Sequence, residues 1–478
     1  MAATLIVLPL VAIACSSDDP KPQPEVPEQP SEPSEPEKPA EPVDATTAYF
    51  QGVLAGEEAE MPADAEIEPT ADALKAMRDE IWGAWKRANE LTDTEKLPNL
   101  MDIGNADYTV ISPNGQWKMG NTSSYFVYGS KGTKPADGYP LFIHLHGSGD
   151  DADADWRATL GWGIWYDDGP SAYLTPRSPA GGTGCRWFTP TRQDFFERVL
   201  RRAMLSDDIN PDAIFFTGIS EGAYGSQRLA AFYADYLAGA GPMAGGDMIS
   251  NCPPENMANI AFALHTGDAD YGYGRNELSK RFKTMLDDLE KQYPGYYNHH
   301  VMVPAGLGHG DLDRLATSPW LKSARRNAVP AFFRWEVFKM GGELGEDYRG
   351  RTIFYCLRED KQPQGAIDAT TRASYEFHVA DNTIDITASA VRITATDANN
   401  EWNIPYGVEK SYTAATGGEL TVFVDETMVD ISKDVTVNVN GTERFSGKLT
   451  PTRNTAVESC ALLGDPRRIF PAKIKITY

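Results

Sequence analysis

The chain has 478 residues, more than one hydrophobic core usually holds, so two folded domains with appendages are expected. A hydrophobic content of 41% and an aromatic content of 10% are ordinary for a globular protein and exclude global disorder. The formal net charge of -24 would repel the chain from phosphate groups, which excludes nucleic acid and an anionic membrane surface as expected partners.

The amino terminus carries a short apolar run from Leu5 to Ala14, which is too short to span a bilayer as a helix. We interpret residues 1–14 as a signal peptide. The small residues of Ala12–Ala14 directly before Cys15 resemble the lipobox of bacterial lipoproteins. That resemblance implies lipidation of Cys15 and a location in the cell envelope, anchored by lipid to the outer membrane at the cell surface or in the periplasm. A plain secretory signal is the alternative, because no Lys or Arg precedes the apolar run.

Within residues 15–45, the tract from Pro20 to Asp44 alternates proline with glutamate and contains almost no large apolar side chains. Such a tract cannot bury enough surface to fold, so we predict an extended tether between the lipid and the folded protein. Residues 46–103 change to a helical pattern and are predicted as one or two helices that pack on the following domain. The apolar residues at spacings of three and four are Leu74, Met77, Ile81 and Trp85.

Two short runs, Asp107–Ile111 and Tyr125–Gly129, have the composition of strands and are predicted to form the first antiparallel hairpin of a sheet. A third run, Leu141–Leu145, is more apolar and reads as a buried strand. It ends in the loop His146–Gly149, which contains Gly147 and Ser148.

An aromatic-rich stretch from Trp156 to Trp187 follows and is interpreted as a loop inserted between two strands. Loops at the carboxyl ends of parallel strands build substrate sites, and aromatic faces stack well on sugar rings. An arginine can hold a carboxylate with two hydrogen bonds. The alternative is that the aromatic side chains fill space under a long loop. The candidate substrate-binding residues are Trp162, Trp165, Arg186 and Trp187.

The pentapeptide Gly218–Gly222 has the pattern G-x-S-x-G, with Ser220 at its centre. It follows the apolar run Ala213–Phe216 and precedes a stretch with a helical pattern, so the context is strand, sharp turn, helix. Side chains two residues either side of the serine would collide across so tight a turn, which explains the glycines. We therefore predict that Ser220 is a nucleophile.

A serine nucleophile needs a base and an acid that orients the base. The buried run Ile260–Leu264 opens into a loop that holds Asp268 and Asp270, and either carboxylate is a candidate acid. The next β-branched run ends near Val303 and is followed by a glycine-flanked loop with His309, the candidate base.

The order serine, acid, histidine, with each residue behind an apolar run, resembles the α/β-hydrolase superfamily, in its esterase and prolyl-oligopeptidase-like branch. The resemblance implies an α/β fold with a doubly wound, mostly parallel sheet. It favours Asp270 as the acid, since a Gly-x-x-Asp arrangement resembles the acid loop of that superfamily, with Asp268 second. It also implies an oxyanion hole made by the backbone N–H of Gly147 or Ser148 and that of Glu221.

The catalytic domain is predicted to span residues 104–342 and to close with a helix from Pro330 to Phe338. Residues 343–478 show short alternating runs with Asn440-Gly441 as a tight turn, which indicates a β-sandwich. This part resembles the accessory β-domain of many secreted bacterial esterases and peptidase-like proteins. It is predicted to bind glycan or to support the active-site loops.

Four cysteines remain beside Cys15, and an oxidising compartment permits the pairs Cys356 with Cys460 and Cys185 with Cys252. Free buried thiols are the alternative, because a chain this long can be stable without disulfide bonds. No cysteine or histidine spacing fits zinc, and no glycine-rich phosphate loop is present, so neither a metal nor a cofactor is predicted.

The function predicted from these patterns is hydrolysis of carboxylic esters through an acyl-enzyme, with polysaccharide esters as the expected substrates. A prolyl-oligopeptidase-like peptidase is the first alternative, although no β-propeller precedes the catalytic domain. A noncatalytic glycan-binding lipoprotein is the second. The expected partners are an ester or glycan substrate, and the membrane only through the lipid.

Overall fold

A computed structural model of the chain describes residues 43–92, 95–120, 122–149, 151–178, 186–340, 350–365 and 370–478. The predicted signal peptide, Cys15 and nearly all of the tether lie outside the described residues. From Asp44 onward the chain forms one compact unit. Within the described ranges, no helix has both the length and the apolar character needed to cross a membrane. The domain boundaries proposed above stay predictions.

Two helices precede the first sheet, α1 (Ala45–Ala55) and α2 (Ala71–Thr92). Helix α2 buries the residues that the spacing marked, so the helical prediction for this segment is confirmed. The ring of Phe50 in α1 meets Trp85 of α2 edge-on, with ring centroids 5.1 Å apart. The two helices therefore share an apolar contact in the main core.

The first sheet has eight strands, which are β1 (Met101–Asp102), β2 (Gly115–Met119), β3 (Thr122–Lys131), β4 (Tyr139–Leu145), β5 (Ser171–Arg177), β6 (Ile209–Ile219), β7 (Gly239–Met243) and β8 (Ala261–Phe262). Their spatial order is β1-β3-β5-β4-β6-β7-β8, with β2 beside β3. Strands β5, β4, β6, β7 and β8 run parallel, whereas β3 is antiparallel to β5. An extended segment beyond β8 continues the parallel edge through bridges from His299 to Phe262 and from Met302 to His265.

Helices cover both faces of this sheet, and they are α3 (Ala152–Trp165), α4 (Pro190–Leu205), α5 (Glu221–Phe232), α6 (Arg275–Gln292) and α7 (Thr317–Leu321). Consecutive residues of β6 point to opposite faces, as in any strand. Phe216 belongs to the apolar cluster that includes side chains of α4, α5 and α6. Phe215 belongs to the cluster that includes α3 and α7. The predicted doubly wound, mostly parallel α/β sheet is confirmed.

The remaining elements are β9 (Phe332–Glu336), β10 (Ile353–Phe354), β11 (Leu357–Lys361), β12 (Thr371–Ala380), β13 (Thr383–Thr396), β14 (Gly407–Ala414), β15 (Glu419–Val424), β16 (Asp434–Val439), β17 (Thr442–Lys448), α8 (Arg453–Leu463) and β18 (Ala472–Thr477). They form a four-stranded sheet, β10-β11-β15-β18, and a six-stranded sheet, β17-β16-β13-β12-β9 with β14 beside β13.

The two smaller sheets meet through aromatic side chains, as the predicted sandwich requires. Phe354 of the four-stranded sheet stacks on Trp335 of the six-stranded sheet, with ring centroids 4.9 Å apart. The predicted tight turn is also present, because Asn440 and Gly441 have φ of 52° and 73° between β16 and β17. Positive φ at both central residues is what a two-residue hairpin turn needs.

The predicted closing helix from Pro330 to Phe338 is wrong, because this segment contains strand β9. Phe333 lies opposite Phe377 and Trp335 lies opposite Tyr375 in the six-stranded sheet. Bulky aromatic side chains fit a pleated surface that is buried on both sides, and pairing with β12 supplies backbone hydrogen bonds that a short helix here would lack. Tertiary pairing overrides the helix-start signal of the proline.

Two other sequence predictions near the first sheet are corrected. Asp107–Ile111 forms turns rather than a strand, and the hairpin partner of β3 is β2. The aromatic-rich stretch is not a loop, since it contains most of α3 and all of β5. Within these two elements, Trp156 and Tyr173 are buried and Trp165 is exposed.

Cys356 and Cys460 are free, buried thiols, which confirms the alternative of free thiols over a disulfide between them. Burial raises the pKa of each thiol well above its ordinary value, which keeps them protonated. Cys252 is also free and donates to the carbonyl oxygen of Met248 at 3.2 Å. Its proposed partner, Cys185, lies outside the described residues.

Candidate active site

Ser220 lies in the turn between β6 and α5, with φ 57° and ψ -115°. This backbone conformation is strained for a residue with a side chain, and only tight packing around it can hold it. A Cβ at Gly218 would overlap the backbone of Gly222, and a Cβ at Gly222 would overlap the carbonyl group of Leu145. The glycines are therefore required by the close approach of β4, β6 and the start of α5.

His309 contacts both of its predicted partners. Its Nδ1 lies 2.7 Å from Oδ2 of Asp270, and its Nε2 lies 3.0 Å from Oγ of Ser220. Because the Asp270 carboxylate only accepts hydrogen bonds, Nδ1 carries the proton and Nε2 is free to accept the serine hydroxyl. The structure brings together the three side chains that the sequence selected.

The loops of the acid and the histidine are joined along their backbones. Ala269 N–H donates to the carbonyl oxygen of Leu307 at 2.9 Å, and Asp268 N–H donates to that of Pro304 at 2.9 Å. Gly267 permits this approach, since a Cβ there would overlap the backbone of Leu307. These backbone hydrogen bonds hold the histidine loop against the acid loop, which positions His309 next to Ser220.

Asp268, the second candidate acid, pairs with a lysine. Its carboxylate pairs with the ammonium group of Lys280 at 2.6 Å, and its side chain is 39% exposed. The side chain of Asp270, by contrast, is 1% exposed. The geometry selects Asp270 as the partner of His309.

Arg275 is a further residue of this constellation that sequence reasoning missed. It opens α6, and its guanidinium group contacts Oδ1 of Asp270 from Nε at 2.9 Å and from the terminal nitrogen at 2.7 Å. Burial alone would raise the pKa of the Asp270 carboxyl, but hydrogen bonds from His309 and Arg275 and their charges lower it below its ordinary value. Arg275 therefore keeps the acid ionised and oriented.

The loop after β4 lies against the nucleophile. A Cβ on Gly147 would stand 3.0 Å from Cβ of Ser220, so nothing larger than glycine fits without displacement. The N–H of Glu221 is at the start of α5, where helix N–H groups have no partner within the helix. The predicted oxyanion donors, Gly147 or Ser148 together with Glu221, are in the region where these two segments meet, and their role stays a prediction.

His146 supports this loop and does not act as a base. Its Nδ1 donates to the carbonyl oxygen of Gly147 at 2.7 Å, and its Nε2 accepts from the N–H of Ser178 at 3.0 Å. Both bonds together require a neutral imidazole with the proton on Nδ1. Burial, chiefly, lowers the pKa of His146 to about 4.

Trp187 is not a substrate-binding surface, contrary to the sequence prediction, because its side chain is 0% exposed. Its Nε1–H donates to the carbonyl oxygen of His146 at 2.9 Å, and a Cβ on Gly225 of α5 would overlap it. The tryptophan packs between the loop after β4 and α5, the helix that follows Ser220. Its function is to position that loop.

The other three candidate substrate-binding residues are exposed or partly exposed. Arg186 is exposed, and its N–H donates to the Glu221 carboxylate at 2.7 Å. Trp162 and Trp165 lie near the end of α3, with ring centroids 5.4 Å apart. The guanidinium group of Arg314 stands 5.3 Å from the centre of the Trp162 ring. Substrate binding by these residues stays a prediction.

This unit combines a mostly parallel, doubly wound sheet with a serine in a strained strand-to-helix turn. The three residues that contact one another occur along the chain in the order Ser220, Asp270, His309. This unit has the α/β-hydrolase fold. Its triad residues follow β6, β8 and the extended segment at Met302, at the carboxyl ends of parallel strands, where ligands bind in open α/β sheets.

No protein-family model matches the chain. A curated relative, poly(3-hydroxyalkanoate) depolymerase C of Paucimonas lemoignei, is 30% identical over 117 residues, which are 22% of this chain and 28% of the depolymerase. The chain thus matches little more than a quarter of that relative's length.

Solved structures similar to this chain include the feruloyl esterase module of Clostridium thermocellum, at 12% identity and a TM-score of 0.34, covering 49% of this chain and 96% of the module. Est1E from Butyrivibrio proteoclasticus is 14% identical with a TM-score of 0.32, covering 43% of this chain and 93% of Est1E. A thermostable esterase is 17% identical with a TM-score of 0.33, covering 44% of this chain and 62% of that esterase. The fold assignment depends on the strand order and the turn at Ser220, not on these matches.

Exchanging each carboxylate of the acid loop for its amide tests the selection of the acid. We expect Asp270→Asn to lower kcat by about 10⁴-fold, because an amide can hold the imidazole in the wrong tautomer. Asp268→Asn is the matched control and should retain activity near that of the unsubstituted protein. Steady-state hydrolysis of nitrophenyl acetate measures both. The reverse pattern of losses would overturn the assignment of Asp270.

Proposed function

We propose that this chain is a serine esterase that cleaves carboxylic esters through an acyl-enzyme on Ser220. The observation that carries the proposal is the continuous hydrogen-bonded series from Asp270 through His309 to Ser220. A hydroxyl in contact with an imidazole, which a buried carboxylate orients, is the arrangement that activates serine for acyl transfer.

In the proposed reaction, His309 Nε2 takes the hydroxyl proton while Ser220 Oγ attacks the ester carbonyl. The N–H of Glu221 and that of Gly147 or Ser148 stabilise the resulting oxyanion. The intermediate collapses, the ester C–O bond breaks, and the alcohol leaves with the proton from Nε2. A water molecule then gives a proton to His309 and attacks the carbonyl of the acyl-enzyme. When this second intermediate collapses, the bond from the acyl carbon to Oγ breaks, His309 returns the proton to Oγ, and the acid leaves.

For the substrate, we propose esters carried by polysaccharides. The support is the exposed Arg186 at the rim beside Glu221 and the open surface around His309, whose side chain is 41% exposed. An open site suits an ester group on a polymer better than a closed pocket does. The relative's printed name, poly(3-hydroxyalkanoate) depolymerase, supports an ester polymer more generally and makes that polyester the second candidate substrate.

Labelling with a fluorophosphonate probe tests the reaction class. We expect one modified peptide containing Ser220 in the unsubstituted protein and no labelling in Ser220→Ala. Labelling depends on an activated serine and not on the natural substrate. A folded protein that resists the probe would contradict the proposed function and favour a noncatalytic glycan-binding protein.

A substrate panel then separates the candidate activities. Protein that the fluorophosphonate probe can label is incubated, without the probe, with acetylated and feruloylated polysaccharides, poly(3-hydroxybutyrate) and proline-containing peptides. The released acid or peptide is then measured. We expect release from polysaccharide esters at a kcat/KM above that for the polyester. Cleavage of the peptides alone would replace the proposed esterase with a peptidase.

A further inference from the structure

Two exposed aromatic rings lie together beside the acid loop. Tyr273 follows Asp270 by three residues, and Trp402 belongs to the loop between β13 and β14. Their ring centroids are 4.9 Å apart and their planes are inclined by 39°. Tyr273 is 56% exposed, Trp402 is 37% exposed, and the neighbouring Tyr271 is 64% exposed. Aromatic side chains this large usually bury most of their surface, so this exposure needs a reason.

The backbone presents Tyr273 in a conformation that a tyrosine rarely adopts. Its φ is 55°, in the left-handed region, and glycines stand on both sides of it. Gly274 also has a positive φ of 68°, and a Cβ there would overlap the ring of Tyr406. Strain of this kind persists only where the surroundings hold it, and it concentrates at ligand sites. The surroundings here include a side chain from the β-sandwich part of the chain.

The loop that carries Trp402 is well held. Asn400 donates from its side chain to the carbonyl oxygens of Asp397 and Ile404 at 2.9 and 2.7 Å, and it accepts from the N–H of Trp402 at 3.0 Å. Asp397 pairs with Arg281 of α6 at 3.0 Å. The loop therefore presents Trp402 from a fixed position against the first helical turns of α6.

The aromatic pair is coupled to the catalytic residues through Arg275. The guanidinium carbon stands 5.6 Å from the centre of the Tyr273 ring, in the range of a cation–π contact. The same guanidinium group binds Asp270, which contacts His309. A chain-like ligand lying on Tyr273 and Trp402 would therefore run along the acid side of the triad.

We propose that Tyr273 and Trp402 form a binding subsite for a neutral saccharide chain that carries the ester to Ser220. The proposal rests on the proposed esterase function and assigns part of substrate recognition to the β-sandwich. Two inclined, exposed aromatic faces offer stacking surfaces to sugar rings, and Glu401 and Asn403, the exposed polar neighbours of Trp402 in the chain, offer hydrogen-bond partners to sugar hydroxyls. The net charge of -24 disfavours a polyanionic glycan.

Binding of unesterified oligosaccharides tests the subsite without requiring catalysis. Xylohexaose, cellohexaose and mannohexaose are titrated by calorimetry into the full chain, into Trp402→Ala and into the control Tyr412→Ala. Tyr412 is a tyrosine of the sandwich that is 45% exposed and contacts Arg334 rather than the acid loop. We expect at least one hexasaccharide to bind the unsubstituted chain and Trp402→Ala to weaken it about tenfold, the effect of one lost stacking contact. Tyr412→Ala should bind as the unsubstituted chain does.

A kinetic measurement gives the second readout. On an acetylated oligosaccharide that binds, Trp402→Ala should raise KM about tenfold more than it does on nitrophenyl acetate, because only the saccharide reaches the ring. Tyr273→Phe, which keeps the ring, should preserve saccharide binding, and Tyr273→Ala should weaken it.

Three outcomes would overturn the subsite: no hexasaccharide binds, Trp402→Ala binds as tightly as the unsubstituted chain, or Tyr412→Ala weakens binding equally. Failure of the proposed esterase function is distinguishable, because it would appear as resistance to the fluorophosphonate probe while the titrations still report on saccharide binding.

Discussion

Replacing Ser220 or His309 with alanine is expected to lower kcat on nitrophenyl acetate by about 10⁴- to 10⁶-fold. Without Oγ no acyl-enzyme forms. Without the imidazole, Oγ loses the base whose Nε2 lies 3.0 Å from it. Because the two residues act as one unit, the double variant should be no slower than either single variant. Initial rates across the three variants measure this non-additivity.

The matched control for the serine is Ser226→Ala, six residues further along α5. Its hydroxyl donates to the carbonyl oxygen of Ala223 at 3.1 Å, within the same helix. This variant should keep activity near that of the unsubstituted chain. Substantial turnover by Ser220→Ala, or additive losses in the double variant, would contradict the triad.

Asp235→Asn is expected to lower the free energy of unfolding by about 3–5 kcal/mol, the usual cost of breaking a buried ion pair from one side. Asp235 is fully buried between α5 and β7, and it binds Arg468 at 2.6 Å and Arg351 at 2.5 Å. Both arginines come from the carboxyl-terminal part of the chain. The substitution removes the counter-charge of Arg351 and one of the two counter-charges of Arg468, which also pairs with Asp465 at 2.6 Å. Urea unfolding followed by tryptophan fluorescence measures the loss.

The exposed pair Lys75–Asp79 on α2 supplies the control, with 74% and 66% of the two side chains exposed. Asp79→Asn should change stability little, since solvent screens exposed pairs. An equally small effect of Asp235→Asn would show that the buried network does not hold the α/β sheet and the sandwich together.

The same carboxylate predicts a pH dependence. Burial alone would raise the pKa of Asp235, but the charges of Arg351 and Arg468 lower it from 3.8 to about 2. A lowered pKa in the folded state gives stability that is present above pH 3.8 and is lost as the pH falls toward 2. Asp235→Asn should show a flatter stability profile over this interval. Identical profiles would remove Asp235 from the acid-sensitive groups.

The sequence alone predicted Ser220 and His309 and limited the acid to Asp268 or Asp270, because these signals are local. The turn at Ser220 needs glycines on both sides whatever the rest of the chain does, and apolar runs mark the strands that precede Ser220, Asp270 and His309. Strand ends in a parallel sheet meet at one edge, so the order of these residues was enough to predict that they converge. The hairpin turn at Asn440 is predictable for the same local reason.

The errors arose where distant packing decides. Trp187 has the composition of a sugar-binding residue, yet its indole is buried against His146 and α5. The segment after Pro330 has a helix-start signal, yet β12, some forty residues later, pairs with it as a strand. Composition does not reveal which neighbour will cover an aromatic side chain, because that neighbour comes from elsewhere in the chain.

By itself the sequence determined the α/β class and predicted Ser220 as nucleophile and His309 as base, since strand periodicity and the steric demands of a tight turn act over a few residues. Only the tertiary structure decided between Asp270 and Asp268, through the contact of Arg275 and the close approach of two loops at Gly267. It alone also placed Trp402 on Tyr273, across more than a hundred residues of chain. Contacts at such separations depend on how whole elements pack, which no local pattern of residues encodes.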